Sequence, residues 1–149
     1  MIVSRKLINS KIYLFFFSAA VLFVLFAIIG AFSRYSPAPF SDMWEGYIGW
    51  YLQENHWHGL WAQHNEHRIV LARLIYWLDV VLFGNAAWFL IAVNYFLVFI
   101  SCWLFGLILR EQANKPKHDY PRKIIFLFLI AWLFSWAQEE NLTWGFQNQ

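Results

Sequence analysis

Charge is what this sequence has least of. Only 13% of the 149 residues are Asp, Glu, Lys or Arg, against 60% hydrophobic. A soluble domain carries about 25% charge, and its interior is too small to hide this many large side chains. Lipid is therefore the expected solvent. Cysteine is almost missing as well. The one thiol, Cys102, lies in an apolar run, so no internal disulfide can form and the residue reads as inert and buried. The sequence also has no Gly-rich phosphate loop, nucleophile elbow, internal repeat or low-complexity tract. Its basic residues are explained by membrane orientation, and nothing in it points to nucleic acid as a partner.

Aromatic residues are abundant. They make up 22% of the chain, with 10 Trp and 16 Phe. Trp and Tyr favour the headgroup region, where an amphipathic ring is half wet, so membrane lipid is the first expected partner.

Three apolar stretches set the organisation. Residues 12–32 lie between Lys11 and Arg34 and match the roughly 20 residues a helix needs to cross a bilayer. Arg5, Lys6 and Lys11 with Ala31-Phe32-Ser33 also resemble a cleaved signal peptide. The run exceeds the usual apolar region of about 7–15 residues, which favours an uncleaved anchor. Residues 86–109 form a second full-length span, and 124–137 a shorter third. Residues 69–83 are apolar but short, carry Arg73 and Asp79, and end at Gly84-Asn85, where Asn85 can cap the next helix.

Between the first two spans, residues 34–68 form a polar loop. Ser36-Pro37-Ala38-Pro39 gives a rigid extended exit from the membrane. A short helix is expected over about 43–53, capped by Ser41 or Asp42, with Asp42-x-x-Glu45 resembling a capping box. Trp44, Tyr47, Ile48 and Tyr51 recur at helical spacing, so this helix is expected to lie along the interface.

Basic residues set the topology. Arg5, Lys6 and Lys11 precede the first span, while Arg110, Lys115, Lys117, Arg122 and Lys123 lie around the 110–123 loop. These are eight of the 11 Lys and Arg, and short basic loops stay cytoplasmic. The 34–68 loop has basic residues only at its ends and is placed outside. An odd number of crossings must separate the two loops. Residues 86–109 supply one, so 69–83 reads as an outer-side juxtamembrane or re-entrant helix whose charges face protein or a wet cavity. The expected fold is an all-α membrane protein forming one membrane domain. It has about three transmembrane helices plus two outer-side juxtamembrane helices. The polar cluster at the end of the chain suggests part of a longer protein.

Several polar residues carry candidate chemistry. Asp42 and Glu45 share a helix face, close enough to hold a cation or to raise one pKa, which suits a general base; capping is the plainer role. Glu139 and Glu140, delivered outward by the third span, form either a second acidic wall or a solvated helix end. His56, His58, His64 and His67 cluster with Glu66, a donor set that suits a divalent cation. However, the His-x-His and His-x-x-His spacings are not those of a helical zinc site, so His64, Glu66 and His67 are weak metal ligands. Asn65 can cap the following helix. Glu66 and Arg73 are seven apart and pair if that helix is continuous. Equally, Arg68 and Arg73 suit a phosphate, which arginine grips bidentately. Asn141-Leu142-Thr143 matches a glycosylation sequon, a match common by chance.

The order of these parts resembles the start of a GT-C-type glycosyltransferase. That family begins with a cytoplasmic N-terminus, has a large first outer loop, and places a catalytic Asp or Glu shortly after the first span. Ser41-Asp42-Met43-Trp44-Glu45 matches this position, and Glu139-Glu140 is placed like the family's second acid. His64-Asn65-Glu66-His67-Arg68 and Thr143-Trp144-Gly145-Phe146-Gln147 look like stretches of related bacterial multi-span proteins. The resemblance implies a transferase in the bacterial inner membrane that uses a polyprenyl-phosphate sugar. Asp42 would be its base, Glu45 or Glu139 would assist, optionally through a divalent cation, and Arg68 or Arg73 would hold the phosphate. The family has many more spans, so activity is expected of a longer chain rather than of these residues alone. A non-enzymatic small subunit or inactive product packing against a larger membrane partner is the alternative. A transporter component using Arg73 and Asp79 is a third class.

Overall fold

The computed structural model describes residues 2–66, 68–111 and 119–143. The described residues are all-helical, with five α-helices, a π turn and two 3-10 turns. They are α1 (Ile2–Arg34), the π turn Trp44–Gly49, the 3-10 turn His58–Trp61, α2 (Val70–Phe83), α3 (Trp88–Glu111), α4 (Asp119–Leu133), the 3-10 turn Trp136–Gln138 and α5 (Glu139–Thr143).

Two helical stretches, Asn9–Arg34 and Trp88–Glu111, are long and apolar enough to cross a membrane. Large apolar side chains on both stay exposed, among them Phe15 (68%) and Phe26 (60%) on the first and Phe99 (63%) on the second. A helix apolar all round with uncovered faces is suited to lipid, so the chain is compatible with an integral membrane protein. Tyr120–Leu133 and Trp136–Thr143 qualify only as a pair bent by 45°. The third stretch expected over 124–137 is therefore interrupted. Extended backbone at Ser135 (ψ 148°) separates the two pieces.

The chain forms two compact units. The first combines residues 1–32 with 96–139. Here α1 meets α4 through Ala20, Leu127 and Ala131, with Phe16 and Ile130 alongside. Small residues let backbones approach, which matters in lipid because association there rests on close packing rather than on the hydrophobic effect. Gly30 shows the same principle: a Cβ there would overlap the Trp136 ring. On α3, a Cβ at Gly106 would press on the Phe126 ring at 3.2 Å.

The second unit combines residues 33–95 with 140–149. Its core is Met43, Tyr47 and Trp50 from the π-turn region, Ile69, Ala72 and Tyr76 from the α2 region, and Leu90 from α3. The large aliphatic side chains among them, such as Ile69 and Leu90, contribute about 1.5–3 kcal/mol each when fully buried. α2 forms because Val70–Phe83 contains neither Pro nor Gly and repeats its core contacts every three or four residues. It stops at Gly84, which takes the left-handed conformation (φ 67°) that a Cβ disfavours. Tyr35 ties the start of the unit to its far side, donating its hydroxyl to the Ala86 carbonyl at 2.6 Å.

Candidate functional site

Arg73 is the centre of the second unit. It lies on the buried face of α2 and is only 4% exposed. Its Nε donates to the Gly46 carbonyl at 3.2 Å. Its Nη1 reaches the carbonyls of Gly59 (3.1 Å), Leu60 (3.1 Å) and Ala62 (2.7 Å). The guanidinium carbon also lies 5.9 Å from the Trp50 ring centroid. A buried cation needs polar partners, and here backbone dipoles provide them. Burial still pulls the guanidinium pKa below its usual value, yet arginine keeps its proton under all ordinary conditions. One side chain thus gathers the π turn and the 3-10 turn against α2.

Aromatic rings fill the space around this clamp. Tyr47 stacks on Tyr76 at 4.9 Å, and Tyr51 meets Tyr76 edge-on at 6.2 Å. Trp50 is edge-on to His56 (5.5 Å) and Trp57 (6.4 Å), and its Nε1 donates to the His56 carbonyl. Trp57 packs on Trp77 of α2 at 5.3 Å. Burial, then Asp79, then Tyr51 push the Tyr76 hydroxyl up to about 12, so it stays neutral.

Asp42 and Glu45 sit on this frame. Asp42 and Glu45 are exposed, whereas Met43, Gly46 and Tyr47 beside them are buried. The expected helix over 43–53 contains a π turn, and no side chain caps it. The Asp42 carboxylate instead accepts the Ser41 hydroxyl at 3.3 Å, with Ser41 left-handed at φ 50°. Capping therefore does not account for the Asp42 side chain. Glu139 is half-buried at the start of α5, and Glu140 is exposed.

Arg68 is exposed ahead of α2, and Glu66 is exposed too. Arg73 binds carbonyls and makes no ion pair with Glu66 among the described residues. Asn65 does not cap α2; it approaches His64, with its side-chain nitrogen 3.5 Å from Nε2. His67 lies outside the described residues, as do residues 144–147 of the second family-like stretch and 112–118 of the basic loop. Among the described residues no three His, Cys, Asp or Glu side chains converge on a metal position.

In the sequence Asp79 stands out as a charge in an apolar helix and, with Arg73, as a candidate for a transporter component. It is fully buried, and its Oδ2 accepts the Ala87 amide at 3.1 Å, just before α3. The spacing of Arg73, Tyr76 and Asp79 at i, i+3, i+6 on one helix face was the available signal. Comparison of the chain with protein-family models, curated proteins and solved structures returns no match.

Proposed function

We propose that the chain is the N-terminal membrane portion of a glycosyltransferase that takes a sugar from a lipid-linked phosphate at the outer membrane face. In this reading it crosses the inner membrane three times from a cytoplasmic N-terminus. The π turn and α2 lie at the outer surface. The carrying observation is the pair of exposed acids, Asp42 and Glu45, on a turn whose inner residues are buried and whose Gly46 carbonyl is held by Arg73. A wet carboxylate on a held turn, shortly after the first apolar helix in the sequence, suits a base meeting an acceptor from water while the donor arrives through lipid. The charge asymmetry of the loops supports the orientation.

The arginine roles divide. The Nε and Nη1 of Arg73 are committed to carbonyls, so its part is to position the turn. Arg68, exposed, is the arginine open to a donor phosphate. Glu45 would assist Asp42, with a divalent cation where one is bound.

The exposed apolar faces of α1 and α3 favour a second reading, a non-enzymatic subunit covered by a larger membrane partner. The discriminating experiment is transfer of labelled sugar from polyprenyl-phosphate donors in membranes containing a full-length protein that carries these residues. Transfer above control membranes supports the enzyme. Its absence across hexose, pentose and amino-sugar donors, with the protein inserted, favours the subunit.

A further inference from the structure

The corner between α2 and α3 holds an arrangement that the proposed transfer reaction does not use. Asp79 is 0% exposed, and its two oxygens have different surroundings: Oδ2 accepts the Ala87 amide, while Oδ1 is buried with no hydrogen-bond partner among the described residues. The corner itself is strained. Gly84, Asn85 and Ala87 have φ of 67°, 61° and 62°, and the left-handed region disfavours a side chain such as alanine's. Gly84 and Asn85 donate to the carbonyls of Val80 and Asp79, both at 3.2 Å, so the bend closes back on the turn of α2 that carries the acid.

The charged state of Asp79 is poorly provided for. On its own helix the titratable neighbours are Tyr76, one turn back, and Arg73. Arg73 is six residues away, roughly 9 Å along the axis, and bound to carbonyls. From the π-turn region, Tyr47 and Tyr51 pack on Tyr76 rather than offering a cation, and Glu45 is exposed. The chain from Gly84 to Asn94 carries no ionisable side chain; Tyr95 follows on α3, and Tyr35, ahead of the π turn, donates to the Ala86 carbonyl on the peptide whose amide meets Asp79, so neither brings a cation. One amide is the compensation for burying a carboxylate, and a buried ion without a counter-charge tends to neutralise instead.

We propose that Asp79 is a proton-operated latch: protonated, it closes the strained α2–α3 corner through Ala87, and on losing its proton it lets the corner open. Opening gives the ionised Oδ1 access to water and releases the left-handed backbone at Asn85 and Ala87. Burial pushes the Asp79 carboxyl up, against the smaller opposing effect of the Ala87 hydrogen bond. The sign follows. The closed corner binds the proton more tightly than the open one, so closure is complete below the ordinary carboxylate range and weakens as pH rises toward the raised value. Tyr76 stays neutral over this range and does not reverse the direction.

The test is a labelling experiment on the detergent-solubilised chain with Cys102→Ser and a reporter at the buried position Ala87→Cys. The rate of reaction with a small maleimide is measured from pH 5 to 9, with and without Asp79→Asn. Dividing the two rates at each pH removes the intrinsic ionisation of the thiol. The expected ratio is lowest at the acid end of the range and rises severalfold with pH, because only the aspartate background opens. A flat ratio overturns the proposal, as does faster labelling of Asp79→Asn at pH 5. If Asp79→Asn does not fold, the infrared spectrum of the parent decides. A buried protonated-carboxyl stretch that is present where labelling is slow and disappears as labelling accelerates supports the latch. No such stretch at the pH where labelling is slowest overturns it.

Discussion

The Arg73 guanidinium carbon lies 5.9 Å from the Trp50 ring centroid while its Nη1 donates to the Ala62 carbonyl at 2.7 Å. The ring, the carbonyls and the cation form one unit. Arg73→Lys keeps the charge but loses the fork that reaches several acceptors, so it is expected to retain part of the stability. Arg73→Leu leaves carbonyls unpaired and is expected to cost at least about 3 kcal/mol. Unfolding midpoints in a denaturing-detergent titration check the order parent, Lys, Leu. Equal midpoints for all three would show that the clamp contributes nothing.

The Glu66 pairing considered for Arg73 gives a sharper check. Arg73 binds carbonyls and Glu66 is exposed. A double-mutant cycle between Arg73→Leu and Glu66→Gln should give a coupling within about 0.5 kcal/mol, the level of independent sites. The cycle between Arg73→Leu and Trp50→Leu should exceed it.

Gly30 faces the Trp136 ring so closely that a Cβ has no room. Gly30→Val is expected to destabilise the first unit by about 1–3 kcal/mol, the usual cost of overpacking. Gly30→Val combined with Trp136→Ala should recover part of that loss. A neutral Gly30→Val would mean that the close approach is absent.

Ala87 has φ 62°, which glycine adopts without steric cost. Ala87→Gly should stabilise the second unit by up to about 1 kcal/mol. Its amide, the donor to Asp79, is unchanged. A lower unfolding midpoint for Ala87→Gly would contradict the strained corner.

Much of the fold was legible because apolar runs and their lengths are one-dimensional signals. Residues 12–32 and 86–109 fall within Asn9–Arg34 and nearly coincide with Trp88–Glu111. The 69–83 segment matches Val70–Phe83, since Gly84 marks its end. The break after Leu133 was not visible, because Phe134-Ser135-Trp136 contains no Pro or Gly. At the site, the sequence marked Arg73 and Asp79 as costly charges, but their partners are backbone groups. A carbonyl at Ala62 or an amide at Ala87 carries no residue-type signature, so a search among side chains led to Glu66.

The topology is tested by cysteine reporters at Gln53 and Lys117 in a Cys102→Ser background. Impermeant reagents should label Gln53→Cys from outside and Lys117→Cys only after access to the cytoplasmic side. Labelling of both from one side would contradict the single crossing between them.

Asp42→Asn addresses the proposed chemistry most directly. The side chain caps no helix and is exposed, so the substitution should leave membrane abundance and unfolding midpoint near those of the parent. It removes the charge that takes a proton or holds a cation. In a full-length protein that carries these residues, at equal abundance, sugar transfer from a polyprenyl-phosphate donor is predicted to fall at least about a hundredfold, the scale of losing a positioned general base. Transfer within a few-fold of the parent would contradict Asp42 as the base.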